Sequence, residues 1–115
     1  MNGPYKLEIN IIDSLISDCK IGNFVLGEMS HNREFIPKYI GRSDSDLKNE
    51  LKKWIGIYNH FTFLISYSVK GSFKQECRDY HSCKGFMVID NTIHPQRPYD
   101  QDWDCPICSI FDKLK

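Results

Sequence analysis

Ile21-Gly22-Asn23-Phe24-Val25-Leu26-Gly27-Glu28-Met29 and Phe35-Ile36-Pro37-Lys38-Tyr39-Ile40-Gly41 are two short apolar stretches parted by Ser30-His31-Asn32-Arg33-Glu34. Two such runs joined by a short polar loop predict a β-hairpin. Pro37 cannot donate a ladder hydrogen bond, which places it on a sheet edge or where pairing lapses. The second run leads into Arg42-Ser43-Asp44-Ser45-Asp46, whose side-chain oxygens and negative charge suit a helix start.

Beyond that start, Leu47, Leu51, Trp54 and Ile55 fall on one face, giving a helix that ends at Gly56. His60 to Lys70 alternates as a strand, with Phe61, Phe63, Ile65, Tyr67 and Val69 on one side. Ser72-Phe73-Lys74-Gln75 has capping-box spacing and opens a second helix through about Ser82. Upstream of the hairpin, Leu7 to Cys19 carries apolar residues at helical spacing, and a helix is expected from about Ile11. From Lys84 to Asp104 there are two prolines and little periodicity, so this tail needs a tether. The expected fold is α+β, within the broad α/β class: a small three-stranded, mainly antiparallel sheet flanked by helices. The chain is read as a single domain, 1–115, with a core of about 21–83 and a tail of 84–115.

Lys+Arg and Asp+Glu balance at 15 each, so no overall field draws the chain to DNA, RNA or an anionic membrane, and nucleic-acid contact must be local. No apolar run approaches the roughly 20 residues that span a bilayer, and the N-terminus is too polar for a signal peptide, which points to the cytoplasm. Five cysteines, two at Cys-x-x-Cys spacing, suit metal binding in a reducing compartment better than a disulfide framework. Cys19 stands apart and reads as a small buried apolar residue. His31 and His60 read as loop and strand-start residues.

The run Tyr39-Ile40-Gly41-Arg42-Ser43, closing a hairpin and entering a polar helix start, resembles the second half of the GIY-YIG nuclease signature, with Gly22-Asn23-Phe24 as the first half. The resemblance covers about Gly22 to His81. A literal Gly56-Ile57-Tyr58 follows the Tyr-Ile-Gly instead of preceding it and is a coincidence of composition. What the resemblance implies is a sheet-borne tyrosine pair, an arginine on the first helix that stabilises phosphate charge, and a glutamate that binds Mg or Mn. Tyr39 and Glu76 match their positions, while Phe24 replaces the first tyrosine and offers no hydroxyl. Counting along the first helix places Asn49 or Glu50 where the arginine belongs, leaving Lys48 or Arg42 as the nearest cations. Neither matches, since a lysine lacks the guanidinium fork and Arg42 is displaced along the chain. Losing such a stabiliser costs about two to three orders of magnitude in rate. Outside that resemblance, Tyr39 reads as an edge aromatic and Glu76 as a solvated helix residue.

Cys105-Pro106-Ile107-Cys108 has the spacing that lets one tight turn aim two thiolates at one tetrahedral ion. Cys77 and His81, four apart on the second helix, share a face and complete a Cys3His set for a structural zinc. Cys83 and His94 are the rival ligands, and without metal all six are simply thiols and imidazoles.

Three functions follow. The first is a GIY-YIG-like domain, weakened or inactive in catalysis, that binds DNA or RNA. The second is an active metal-dependent nuclease. The third is a zinc-stabilised protein-interaction module using the aromatic surface around Tyr5, Tyr58 and Trp103. The sequence names no protein partner.

Overall fold

In a computed structural model of the protein, residues 1–86 and 88–111 are described. The elements are β1 (Asn2–Lys6), α1 (Ile9–Leu15), β2 (Ile21–Met29), β3 (Phe35–Ser43), α2 (Leu47–Lys52), β4 (His60–Ser66) and α3 (Val69–Phe86). The sheet has four strands, in the order β1-β4-β2-β3, and every pairing is antiparallel. The α+β class holds, and the expected three strands become four. The segment Asn2–Lys6, too polar to stand out by periodicity, pairs with β4 as an edge strand.

The β2–β3 hairpin forms where its pattern placed it. Pro37 lies on β3, an edge strand, beside the register shift between Leu26 and Gly27, so its missing N–H interrupts no regular ladder. Gly41 faces Phe24 across the hairpin, and a Cβ there would lie 2.3 Å from the Phe24 ring. The aromatic ring occupies the space that any larger residue would need. Gly41→Ala is therefore expected to lower stability by about 1–3 kcal/mol, measured by denaturant unfolding, through overpacking against Phe24.

One sheet face carries Phe24, Leu26, Phe61 and Phe63, which pack with Ile12 of α1 and with Leu47 and Leu51 of α2. Burial of each such side chain contributes roughly 1.5–3 kcal/mol. The opposite face presents Val25 and Ile40 to Tyr80 of α3. The sheet is thus a layer between α1 and α2 on one side and α3 on the other.

Several boundaries differ from expectation: α2 ends at Lys52 and not at Gly56, α3 runs on to Phe86 past the expected Ser82, and the junction of β4 with α3 is shifted. Ser68, not Ser72, caps α3, its Oγ accepting from the Gly71 N–H at 3.0 Å, so β4 stops at Ser66 and Lys70 belongs to the helix. Ser72 lies buried one turn in, where Asn23 of β2 takes over its backbone. The Asn23 Nδ2 donates to the Ser72 carbonyl at 2.8 Å, and the Asn23 Oδ1 faces the Ser66 and Ser72 hydroxyls at 3.1 and 3.2 Å. This buried polar node fixes the register of α3 on the sheet and hence the position of Glu76 one turn further on. Cys19 is a correction: it is exposed, with a φ of 59°, in the turn between α1 and β2, where it packs into no core. The helix α2 is capped as read, Asp46 Oδ1 accepting from the Asn49 N–H.

Candidate metal centre and adjoining cavity

After α3 the chain returns along the β3 edge, and its last described residues pack against α3. On that path His94 meets His81 of α3, with their Nε2 atoms 3.1 Å apart, and Cys108 Sγ lies 3.4 Å from the same His94 nitrogen. With Cys105 these form a group whose ligand atoms all lie within 4.8 Å of one another: His81, His94, Cys105 and Cys108. Tetrahedral zinc with thiolate and imidazole ligands sets neighbouring ligand atoms about 3.3–3.8 Å apart, from bonds of about 2.0–2.3 Å. The group fits such an ion with small adjustment.

Local details prepare the donors. His94 Nδ1 lies 2.8 Å from the Pro95 carbonyl, the kind of bond that keeps the proton on Nδ1 and turns the Nε2 lone pair towards the group. The Ile107 N–H donates to Cys105 Sγ at 3.4 Å, as the tight Cys-Pro-Ile-Cys turn requires. Burial, the neighbouring His94 and Lys84 all hold the His81 pKa down, favouring the neutral imidazole that binds metal.

Of the residues expected to hold the metal, His81, Cys105 and Cys108 are brought together, and the rival His94 stands where Cys77 was expected. Cys77 is not in the group. It shares the helix face of His81 but turns inward, fully buried with Phe73 and Cys105. Burial and the adjacent Cys105 push its thiol well above the usual range. Cys83 lies with Val25, Ile40 and Tyr80, away from the group.

Beside the metal group is a cavity of about 250 Å³ lined by Tyr39, Arg42, Asp44, Glu76, Asn91 and His94, among others. Arg42 projects from β3 between two carboxylates: its Nη1 donates to Glu76 Oε1 at 2.5 Å and its Nε to Asp44 Oδ1 at 2.9 Å. Both the Arg42 and Glu76 side chains are only 11% exposed. Burial drives the Glu76 carboxyl up to about 7 against the pull of Arg42. Tyr39 packs its ring on Trp54, centroids 4.5 Å apart, and reaches the cavity from the far side of β3. Its hydroxyl is held above the usual phenol range by burial and by Glu76 and Glu50.

Thus Tyr39, Arg42 and Glu76 meet in one cavity, whereas Phe24 and Lys48 do not. Phe24 is buried among Leu26, Leu47 and Phe61. Lys48 is drawn to Asp18 at 3.0 Å and Asp13 at 3.8 Å. The neighbouring helix lysines are also neutralised, Lys52 by Asp13 at 2.7 Å and Lys53 by Glu50 at 3.0 Å. The lysines of α2 are therefore paired with acids and leave no free basic patch on that helix.

A different cationic stripe, with no signal in the local sequence pattern alone, runs along α3. Lys70, Lys74 and Arg78 recur every fourth residue on α3, and Lys70 stands over the Trp103 ring at 5.8 Å. Its spacing is legible in the sequence once the helix is known to begin at Val69. Comparison with family models, with curated proteins and with solved structures returned no match to this chain. Among the described residues no helix is long and apolar enough to cross a membrane.

Proposed function

We propose that the chain is a GIY-YIG-like domain, stapled by a structural zinc ion, that binds nucleic acid without cutting it. The observation that carries this reading is the stripe of Lys70, Lys74 and Arg78 beside Trp103. Four helical residues advance about 6 Å, close to the spacing of successive phosphates along a strand. An aromatic ring beside such a track offers a stacking surface for a base, which favours a single strand. Zinc is the metal that suits a His2Cys2 set, and four protein ligands leave it no open position for catalysis.

The absence of cutting follows from the cavity. Arg42 is already shared by two carboxylates, and Glu76 gives one oxygen to Arg42. Burial already disfavours the charged form of Glu76, and Arg42 occupies one of the oxygens a divalent cation would use.

Binding is expected to weaken with salt at a slope of about −2 on a log–log scale for a single-stranded oligonucleotide, as three phosphate contacts require. The triple variant Lys70→Ala, Lys74→Ala, Arg78→Ala should abolish most of it, measured by fluorescence anisotropy. Binding unchanged in that variant would refute the interface.

A second reading, residual nuclease activity, is favoured by the meeting of Tyr39, Arg42 and Glu76 in one cavity. On that reading nicking in Mg or Mn would rise between about pH 6 and 8 as Glu76 loses its proton and would vanish in Glu76→Ala. On the reading proposed here, no metal-dependent nicking appears at any of these pH values.

A further inference from the structure

A second cavity, of about 400 Å³, opens where the returning tail meets the first turns of α3 and is lined by Lys70, Lys74, Asp102, Trp103, Asp104 and Cys105, among others. Its volume is that of a pocket for one small ligand. Trp103 is held in place inside it, since the fully buried Phe73 packs against the indole with ring centroids 6.4 Å apart. Lys70, itself exposed, stands over the same indole at 5.8 Å, so the ring can be approached from solvent. A base stacked there takes the place of the ammonium, which then has a phosphate to meet.

The polar groups of this cavity are sorted by type. The ammonium groups of Lys70 and Lys74 on α3 only donate, and the carboxylates of Asp102 and Asp104, which flank Trp103 in the tail, only accept. Asp102 is the exposed one of the two. Guanine is the base that complements both types. Its O6 and N7 are adjacent acceptors for a lysine, and its N1–H and N2–H2 are adjacent donors that one carboxylate takes as a fork. Adenine and cytosine set a ring-nitrogen acceptor beside the amino group, and thymine or uracil sets carbonyl oxygens on both sides of N3–H. Each of those turns a lone pair towards a carboxylate oxygen.

We infer that this cavity takes one guanine of a bound single strand, stacked on Trp103, with its N1–H and N2–H2 edge on Asp102 and with Lys70 and Lys74 meeting its O6 and its phosphate. The inference rests on the reading of α3 as a nucleic-acid track and adds a base preference to it.

The test is fluorescence anisotropy of the full, metal-loaded chain with labelled thymidine oligonucleotides of about eight residues, a length within one such site. One is all thymidine, and the others carry a single central guanine, adenine or cytosine. The guanine oligonucleotide is expected to bind roughly tenfold tighter than the all-thymidine one, as a bidentate base contact requires, with adenine and cytosine changing affinity by less than about threefold. Asp102→Asn replaces one acceptor oxygen by a donor at an exposed position and should cut the guanine preference to below about threefold while leaving all-thymidine binding in place. Equal binding of all four oligonucleotides overturns the guanine pocket and spares the track, as does a guanine preference that survives Asp102→Asn. Should none of them bind, the track itself is refuted and the pocket with it.

Discussion

Chelating the metal is expected to lower the melting temperature by on the order of 15 °C. The group joins α3, through His81, to a tail that supplies His94, Cys105 and Cys108. Val88, Ile93, Tyr99 and Ile107 of that tail are all exposed, and its apolar packing is a small cluster of Trp103, Cys105 and Phe111 against Phe73. That cluster offsets only part of the entropy of ordering it, and an ion bound by the group would supply the difference. A ligand present at about a thousand times its dissociation constant stabilises by about 4 kcal/mol, which in a domain of this size corresponds to a shift of this order. Differential scanning calorimetry with and without a chelator measures it. Binding also requires deprotonated thiols and neutral imidazoles, so the metal-dependent increment should disappear as the pH falls below about 6. Far-ultraviolet circular dichroism of the stripped protein should retain the sheet and α1 to α3, whose core lies among Phe24, Leu26, Phe61 and Leu51.

Arg42→Ala is expected to cost about 3–5 kcal/mol in urea unfolding at pH 8, because it leaves Glu76 buried without its partner. The sign with pH can be worked out. In the folded protein the Glu76 carboxyl titrates near 7, against an ordinary value of 4.5, so the folded state holds the extra proton in this window. Its contribution favours folding at low pH and is lost as the pH rises through about 7. Without Arg42 the carboxyl moves higher still, so the deficit of Arg42→Ala should shrink as the pH falls from 8 to 6. Adding Glu76→Gln to Arg42→Ala should recover much of the loss at pH 8, since the buried charge is then removed and only the more exposed Asp44 is left without Arg42.

The hairpin, the helix start at Asp46 and the strand at His60 were legible because each repeats its pattern over several residues and is bounded by turn chemistry. The strand Asn2–Lys6 was not, because an edge strand of polar residues carries no alternation and owes its place to pairing with Phe61 and Phe63. Local capping also misled: Ser72 has the spacing of a cap, but Ser68 takes that role and frees Ser72 for the buried node with Asn23. In the metal group, Cys105 and Cys108 were fixed by spacing alone. The choice between Cys77 and His94 depends on which side of α3 the returning tail passes, a tertiary fact that no local pattern encodes. Arg42 illustrates the same point, since its carboxylate partner Glu76 lies far along the chain and is brought near by the packing of α3 on β3.

Metal content per chain in two single variants tests most directly whether His81, His94, Cys105 and Cys108 are the four ligands. Cys77→Ala is expected to keep about one zinc per chain, while His94→Ala loses it or binds it far more weakly. Zinc retained in His94→Ala but lost from a folded Cys77→Ala would contradict the assignment.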